Sequence, residues 1–220
     1  MRGETWTAII PVKPFSVGKS RLGPATVYRE RLARAFFLDT LDAVLSALSV
    51  SRVIVVTGGE DAAADAVSRN AEVVHDASGG GLNRAIVRGV TSARRTRAGS
   101  AVAVVTADLP CLRAADLDTV LRAAHHHPRA FVADHTDRGT TVLTAQRGHR
   151  LRPAFEGPSR RRHLDSGAVE LRLRHAPSAR LDVDTIEDLG AAADFGVGAH
   201  TAELLAVHPG RRDDAVTGRG

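Results

Sequence analysis

The feature that most narrows the fold is an alternation. Short β-branched and aliphatic runs, each about one strand long, are separated by segments whose apolar residues recur every three or four positions. TWTAIIPV (5–12) reads as a buried first strand leading into a loop with Pro and Gly. Leu32, Phe36, Leu41, Val44, Leu45 and Leu48 then form the stripe of an amphipathic helix over 28–48. RVIVVT (52–57) is a second strand, an alanine-rich helix is expected over 61–69, and EVVH (72–75) is a short third strand. GLNRAIVRGVTSAR (81–94) reads as a helix entered through glycines, and AVAVVTADLP (101–110) as a strand ending at an aspartate. Strands alternating with helices imply right-handed βαβ units and an open, mostly parallel α/β sheet. The second half is less regular: AFVAD (130–134) and TTVLTA (140–145) look like strands around a turn with Asp137, Arg138 and Gly139.

In such sheets ligands lie beyond the carboxyl ends of the strands. The loops expected there offer Lys13, Lys19 and Arg21 after the first strand, Thr57, Gly58 and Gly59 after the second, Gly79, Gly80, Gly81 and Asn83 after the third, and Asp108 after the fourth. Cationic side chains, glycine-loop amides and a carboxylate are the components of a nucleotide-phosphate and metal site. Gly18-Lys19-Ser20 imitates the end of a P-loop, but the spacing G-x-x-x-x-G-K-[ST] needs glycine where this chain has Lys13. The loop therefore reads as another way of gripping phosphates. Further on, Asp182 and Asp184 alternate with Val183, so an extended backbone would aim both carboxylates to one side. With Asp108 they suit Mg²⁺, usually held by one or two carboxylates plus substrate phosphates. The same stretch, Asp184-Thr185 followed by Glu187 and Asp188, also reads as an acidic helix start with Asp184 as its cap.

Composition removes other classes. The chain carries 30 basic against 25 acidic residues, but the only lysines are Lys13 and Lys19, and the arginines are scattered without interleaved aromatics, so a nucleic-acid surface is not indicated. No run approaches the ~20 apolar residues of a membrane span. No signal peptide is evident, and Cys111 as sole cysteine fits a reducing cytoplasm. With 220 residues, 43% of them hydrophobic, one domain with an ample core is expected, and a homodimer is compatible with base rates. His125-His126-His127 reads as a solvated helix end, Cys111 as a packing residue and Trp6 as core or edge packing. The Gly-, Arg- and Asp-rich stretch 209–220 reads as a disordered tail after a domain over 1–208.

Six collinear segments carry a resemblance: IIPVKPFSVGKSRL (9–22), GGGLNRAI (79–86), VTADLP (105–110), GTTVL (139–143), SRRRHLDSGA (159–168) and LDVDTIEDL (181–189). Over about residues 5–195 the chain resembles the phosphoenolpyruvate or 2-phospho-L-lactate guanylyltransferases of deazaflavin coenzyme F-420 biosynthesis. The resemblance implies a single-domain, Rossmann-like fold of the nucleotide-diphospho-sugar-transferase type and attack of a phosphorylated three-carbon acid on the α-phosphorus of GTP, releasing pyrophosphate. Asp108, Asp182 and Asp184 would hold Mg²⁺. Lys19 and Arg21, with Lys13 nearby, would steady the leaving pyrophosphate, and Thr57, Gly81, Leu82 and Asn83 would lie near the nucleoside. Thr140, Thr141, Gly157, Ser159 and His163 would take the acid. One departure falls there: the family pattern F-G-x-G-S is Phe155-Glu156-Gly157-Pro158-Ser159 here, and proline has no N–H to offer an anion. Arg160, Arg161 and Arg162 would either compensate or form a solvated face. Sugar-phosphate and molybdopterin nucleotidyltransferases share the chemistry and are the nearest alternatives; a P-loop-like kinase is more remote.

Overall fold

A computed structural model describes residues 5–17, 19, 22, 27–76, 79–96 and 100–207. Arg21 and the expected 209–220 tail lie outside the described residues. Seven strands form one sheet in the order β3-β2-β1-β4-β6-β5-β7. They are β1 (Trp6–Val12), β2 (Val50–Thr57), β3 (Glu72–His75), β4 (Val102–Val105), β5 (Arg129–Ala133), β6 (Thr140–Ala145) and β7 (Val169–Glu170). β1 to β4 run parallel, β6 is antiparallel to both its neighbours, and β7 is parallel to β5.

The alternation of side chains along β1 divides the core. Trp6, Ala8, Ile10 and Val12 face one layer with Phe37, Leu41 and Val44 of helix α1 (Val27–Ser46) and Leu117, Val120 and Leu121 of α4 (Ala114–Ala124). Ile9 faces the other with Ala85, Ile86 and Ala93 of α3 (Leu82–Thr96). α2 (Glu60–Ser68) joins the first layer through Ala62 and Ala66. α1 is buried on two sides, because Leu32, Ala35 and Phe36 pack with Leu189 and Ala192 of α6 (Ile186–Phe195) and Leu204 and Leu205 of α7 (Ala199–Val207). Buried Asp39 of α1 accepts from the amides of His200 (2.9 Å) and Thr201 (3.0 Å), which caps α7 from a neighbouring helix. Cys111 packs in the same cluster, and burial, with the Asp39 charge, pushes its thiol up to about 11. A thiol held protonated is no nucleophile at neutral pH.

Several sequence expectations are corrected in detail. α1 stops at Ser46, leaving Leu48 exposed, and β4 ends at Val105, so Asp108 stands in the loop beyond it. Thr185, not Asp184, caps α6: its hydroxyl accepts from the Asp188 amide (3.2 Å) while the Asp188 carboxylate accepts from the Thr185 amide (2.8 Å), the reciprocal geometry of a capping box. His125 is half-buried, since Trp6 Nε1 donates to its Nε2 at 3.1 Å and the rings lie 5.0 Å apart, while His126 is exposed as expected. The segment after Pro158 forms a short helix, α5 (Ser159–Asp165).

The strand order reverses between β1 and β4. Their pairing runs from Thr7↔Val102 only to Ile9↔Val104, whereas β1 stays paired with β2 to Val12↔Thr57. Pro11, two residues beyond the last β4 partner, has no N–H to extend a ladder there. The central strands therefore part at their carboxyl ends, which leaves a crevice at the topological switch point.

Close packing of α3 on this sheet gives a stability test. A Cβ on Gly89 would stand 2.6 Å from Ile9 Cγ2 and 2.8 Å from Val56 Cγ2. Gly89→Ala should lower stability by about 1–3 kcal/mol by overpacking, despite a gain in helix propensity of about 1 kcal/mol. The urea midpoint should fall; a rise would show that α3 stands off the sheet.

Candidate active site

Lys19 reaches into the crevice from the loop after β1. Its Nζ donates to Asp108 Oδ2 at 2.6 Å and to Asp184 Oδ1 at 2.8 Å, and its side chain is only 12% exposed. Burial works against the charge and is outweighed by the two carboxylates, so the ammonium is held above the ordinary lysine range. Its backbone lies at φ +58°, a left-handed conformation that a non-glycine residue keeps only when its surroundings impose it.

The aspartates meet because two distant segments are clasped. The Val183 amide donates to the Asp108 carbonyl at 3.0 Å, and Val183 is fully buried, so the residues on either side of it are carried to the crevice. Thr40 of α1 steadies the other segment by accepting from the Leu109 amide (3.1 Å). Asp182 is the electrostatically loaded member. Burial, together with the charges of Asp108, Asp134 and Asp184 and against the pull of His135, pushes its carboxyl up to about 7. His135 Nδ1 lies 3.2 Å from Asp182 Oδ1, and its Nε2 lies 3.2 Å from Asp188 Oδ1.

Among the described residues no three His, Cys, Asp or Glu side chains enclose a ready-made metal cage. The donor set nevertheless suits a hard divalent cation that takes its remaining ligands from phosphates. All the donors are carboxylate oxygens, Lys19 already places a positive charge between two of them, and Asp108 Oδ1 is buried without a partner. The nearby Thr106 hydroxyl, at the end of β4, is likewise buried and unpartnered.

On the β2–β3 side, Thr57 Oγ1 accepts from the Gly59 amide (3.0 Å) and the Thr57 carbonyl from the Asp76 amide (2.9 Å), while Lys13 is exposed. The loop into α3 turns through Gly79 (φ +56°) and Gly81 (φ +84°); α3 has no acidic residue of its own in the first turn, and the nearby negative group is the Glu156 carboxylate, 3.9 Å from where a Gly81 Cβ would stand. Leu82 is half-buried against the α3 core. Asn83 clamps the acceptor-side loop instead of standing free: it donates to the Phe155 carbonyl (2.9 Å) and accepts from the Phe155 amide (2.8 Å).

The residues expected at the acceptor side are mostly buried. His163 is fully enclosed; the Ala154 amide donates to its Nε2 (3.1 Å), so the ring proton sits on Nδ1 and donates to Thr140 Oγ1 (2.9 Å). Burial and the Arg129 charge push this imidazole down to about 4, which keeps it neutral. Thr141 Oγ1 donates to the Ala179 carbonyl (2.6 Å). The amide of buried Ser159 is taken by the Gly157 carbonyl (2.8 Å) and that of Arg160 by the Arg138 carbonyl (3.1 Å), so α5 offers neither to an anion as it stands. Gly157 and Glu156 stand at φ +57° and +79° in an exposed turn. Arg160 makes a two-pronged pair with Glu170 (3.0 and 2.9 Å), Arg161 pairs with Asp165, and Arg162 donates to the Glu156 carbonyl (2.9 Å).

Sequence reasoning missed His135, Thr106 and Arg180. Arg180 Nη2 ties the Asp134 carbonyl and the Asp137 carboxylate, both at 2.7 Å, to the segment that leads to Asp182. The usable signal was Asp134 at a strand end, five residues before Gly139. Its carboxylate accepts from the amides of Arg138 (2.9 Å) and Gly139 (2.8 Å) and shapes the turn that carries His135.

A protein-family model described as guanylyl transferase CofC like matches residues 6–208. The chain belongs to the guanylyl transferase CofC-like family. Phosphoenolpyruvate guanylyltransferase of Streptomyces scabiei is 47% identical over 207 residues, covering 91% of this chain and 96% of that protein. That of Streptomyces coelicolor is 46% identical, covering 91% and 96%. Phosphoenolpyruvate guanylyltransferase 2 of Rhodococcus jostii is 42% identical, covering 91% and 90%. The CofC-like chain also shares its fold with solved structures. A Desulfovibrio desulfuricans G20 protein provisionally described as a nucleotide-diphospho-sugar transferase aligns with TM-score 0.67 at 18% identity, covering 97% of this chain and 96% of its own. A nucleotidyl transferase from Methanothermobacter aligns at 0.60 and 20%, covering 88% and 98%. The α/β fold of the nucleotide-diphospho-sugar-transferase type expected from the sequence is thus the one observed, and no helix among the described residues is long and apolar enough to cross a membrane.

The raised Asp182 carboxyl has a measurable consequence. It titrates near 7 in the folded chain against about 3.9 when unfolded, so the folded state holds the extra proton and stability falls as pH rises from about 4 to 7. Without divalent cations, Asp182→Asn should be more stable than the parent by on the order of 1–3 kcal/mol at pH 8, and by little at pH 4.5. Urea unfolding at both values checks this; a parent at least as stable at pH 8 would contradict it.

Proposed function

We propose that this chain transfers GMP from GTP to the phosphate of phosphoenolpyruvate, releasing pyrophosphate, as a step in making deazaflavin coenzyme F-420. The observation that carries the reading is the convergence of Lys19, Asp108 and Asp184 at the switch point of a guanylyl transferase fold. Phosphoenolpyruvate as acceptor, rather than 2-phospho-L-lactate, is supported by the names of relatives that cover nearly the whole chain.

In the reaction an acceptor phosphate oxygen attacks the α-phosphorus of GTP as the bond to the β-phosphate oxygen breaks, with no covalent enzyme intermediate. The protein's contribution is alignment and charge neutralisation. Asp108, Asp182 and Asp184 would hold Mg²⁺, which supplies charge neutralisation on the triphosphate when bound. Lys19 is the interim counter-ion of this carboxylate set, and its ammonium moves to the β- and γ-phosphates as the triphosphate enters, with Arg21 and Lys13 of the same segment of sequence assisting. Thr57, Gly81 and Leu82 border the nucleoside, and the positive end of α3 faces the phosphates. Gly157 presents its backbone to the acid, while Thr140, Thr141, Ser159, His163 and Asn83 hold that loop from behind. A homodimer in a reducing cytoplasm, where Cys111 stays a thiol, completes the reading.

Pyrophosphate release from GTP and Mg²⁺, with phosphoenolpyruvate and 2-phospho-L-lactate supplied separately, tests the proposal. Release should depend on phosphoenolpyruvate, and Asp108→Asn should lower kcat/KM by roughly 10²-fold or more, the scale of losing one charge-stabilising group. Preference for 2-phospho-L-lactate would overturn the acceptor assignment. Orthophosphate in place of pyrophosphate would overturn the reaction.

A further inference from the structure

At the opposite end of the sheet the chain gathers positive charge that the proposed reaction does not use. Arg129 opens β5, and His149, Arg150 and Arg152 belong to the loop that follows β6, which runs antiparallel to β5. These four side chains, with Gly148 and Gly167, line a surface pocket that includes no carboxylate. Elsewhere Arg34, Arg52, Arg69, Arg160 and Arg180 each meet an Asp or Glu. Here cations face one another, and burial together with the Arg152 charge holds the Arg129 guanidinium below its ordinary range.

The pocket is also preformed. Arg129 Nη1 donates to Ser166 Oγ at 3.0 Å and its Nη2 to the Ser166 carbonyl, so the guanidinium is fixed in place before any ligand arrives. Arg152 is held at φ +54°, and Gly148 and Gly167 turn at +81° and +80°, which brings backbone without Cβ atoms to the rim. Buried Arg94 Nε lacks a partner just behind, where Arg94 Nη2 donates to the His149 carbonyl. Planar, forked donors held without counter-ions match the oxygens of a phosphate group.

We propose that Arg129, His149, Arg150 and Arg152 form a second anion site that binds a small polyphosphate. The five-residue strand β5 puts it about 15 Å from the turn that carries His135. The site is joined to the acceptor side, since Ser166 Oγ donates to the His163 carbonyl at 2.8 Å and the loop of Arg152 continues to Ala154 and Phe155.

Titration of the full chain with sodium tripolyphosphate, followed by NMR of the arginine Nε–H groups in 150 mM salt without divalent cations, tests the site. Arg152→Gly relaxes its own backbone and Arg150→Ala removes an exposed charge, so the double variant should fold and keep its basal activity. Saturable shifts of Arg129, Arg150 and Arg152 that weaken at least tenfold in the double variant, but persist in Asp108→Asn, are expected. Shifts that never saturate, shifts unchanged in the double variant, or shifts confined to the Lys19 end of the sheet would overturn the proposal. Tighter binding of a single-stranded RNA oligonucleotide at the same arginines would also overturn it, by replacing a small anion with a nucleic acid.

Discussion

One backbone hydrogen bond joins the parts of this site. Val183 N–H to Asp108 C=O clasps a segment near the end of the chain to the loop after β4. Without it Asp182 and Asp184 would have no fixed relation to Asp108, and Lys19 would have one carboxylate to bind in place of two. The clasp depends in turn on Val183 being buried among Leu32, Phe36, Leu189 and Leu205, the layer in which α1 meets α6 and α7. The outer helices, which touch no reacting atom, therefore set the spacing of the carboxylates.

The cost of this arrangement is concentrated charge. Carboxylates a few ångströms apart repel by an amount comparable with a good fraction of a domain's stability. The chain offsets it with Lys19 between Asp108 and Asp184 and with His135 beside Asp182, while Asp182 itself is driven toward its neutral form. A site that stabilises its carboxylates by a side chain attached through a loop can release that side chain when a better cation arrives. The carboxylates are set by the sheet and its helices and the ammonium between them by a loop, a division that suits the proposed reaction, in which a highly charged triphosphate enters and pyrophosphate leaves.

Much of this was legible in the sequence, for stated physical reasons. Strands here are written as short aliphatic or β-branched runs, so β1, β2, β3 and β6 fell within a residue or two of their expected limits. The loops after them could then be listed without knowing the strand order. Spacing also showed that Gly18-Lys19-Ser20 lacks the first glycine of a P-loop, and the Lys19 side chain is found in the crevice. What failed was whatever depends on long-range competition for a hydrogen bond. Asp184 and Thr185 are both good caps, and only the meeting with Asp188 decides between them. The resemblance places Thr140, Thr141 and His163 at the acceptor side, and no spacing could show that Thr140 and His163 bond to each other, His163 to the Ala154 amide and Thr141 to the Ala179 carbonyl. His135 carried no signal, because its partners are 47 and 53 residues away.

On the proposed reading, Lys19 stands in for a divalent cation until nucleotide binds. Electron paramagnetic resonance of Mn²⁺ titrated into nucleotide-free protein measures it directly, comparing the parent with Lys19→Met. Removing the ammonium takes away the positive charge that bridges Asp108 and Asp184, so Mn²⁺ should bind tighter by about tenfold or more in the variant. Equal or weaker binding in Lys19→Met would contradict it and leave Lys19 as a structural tie alone.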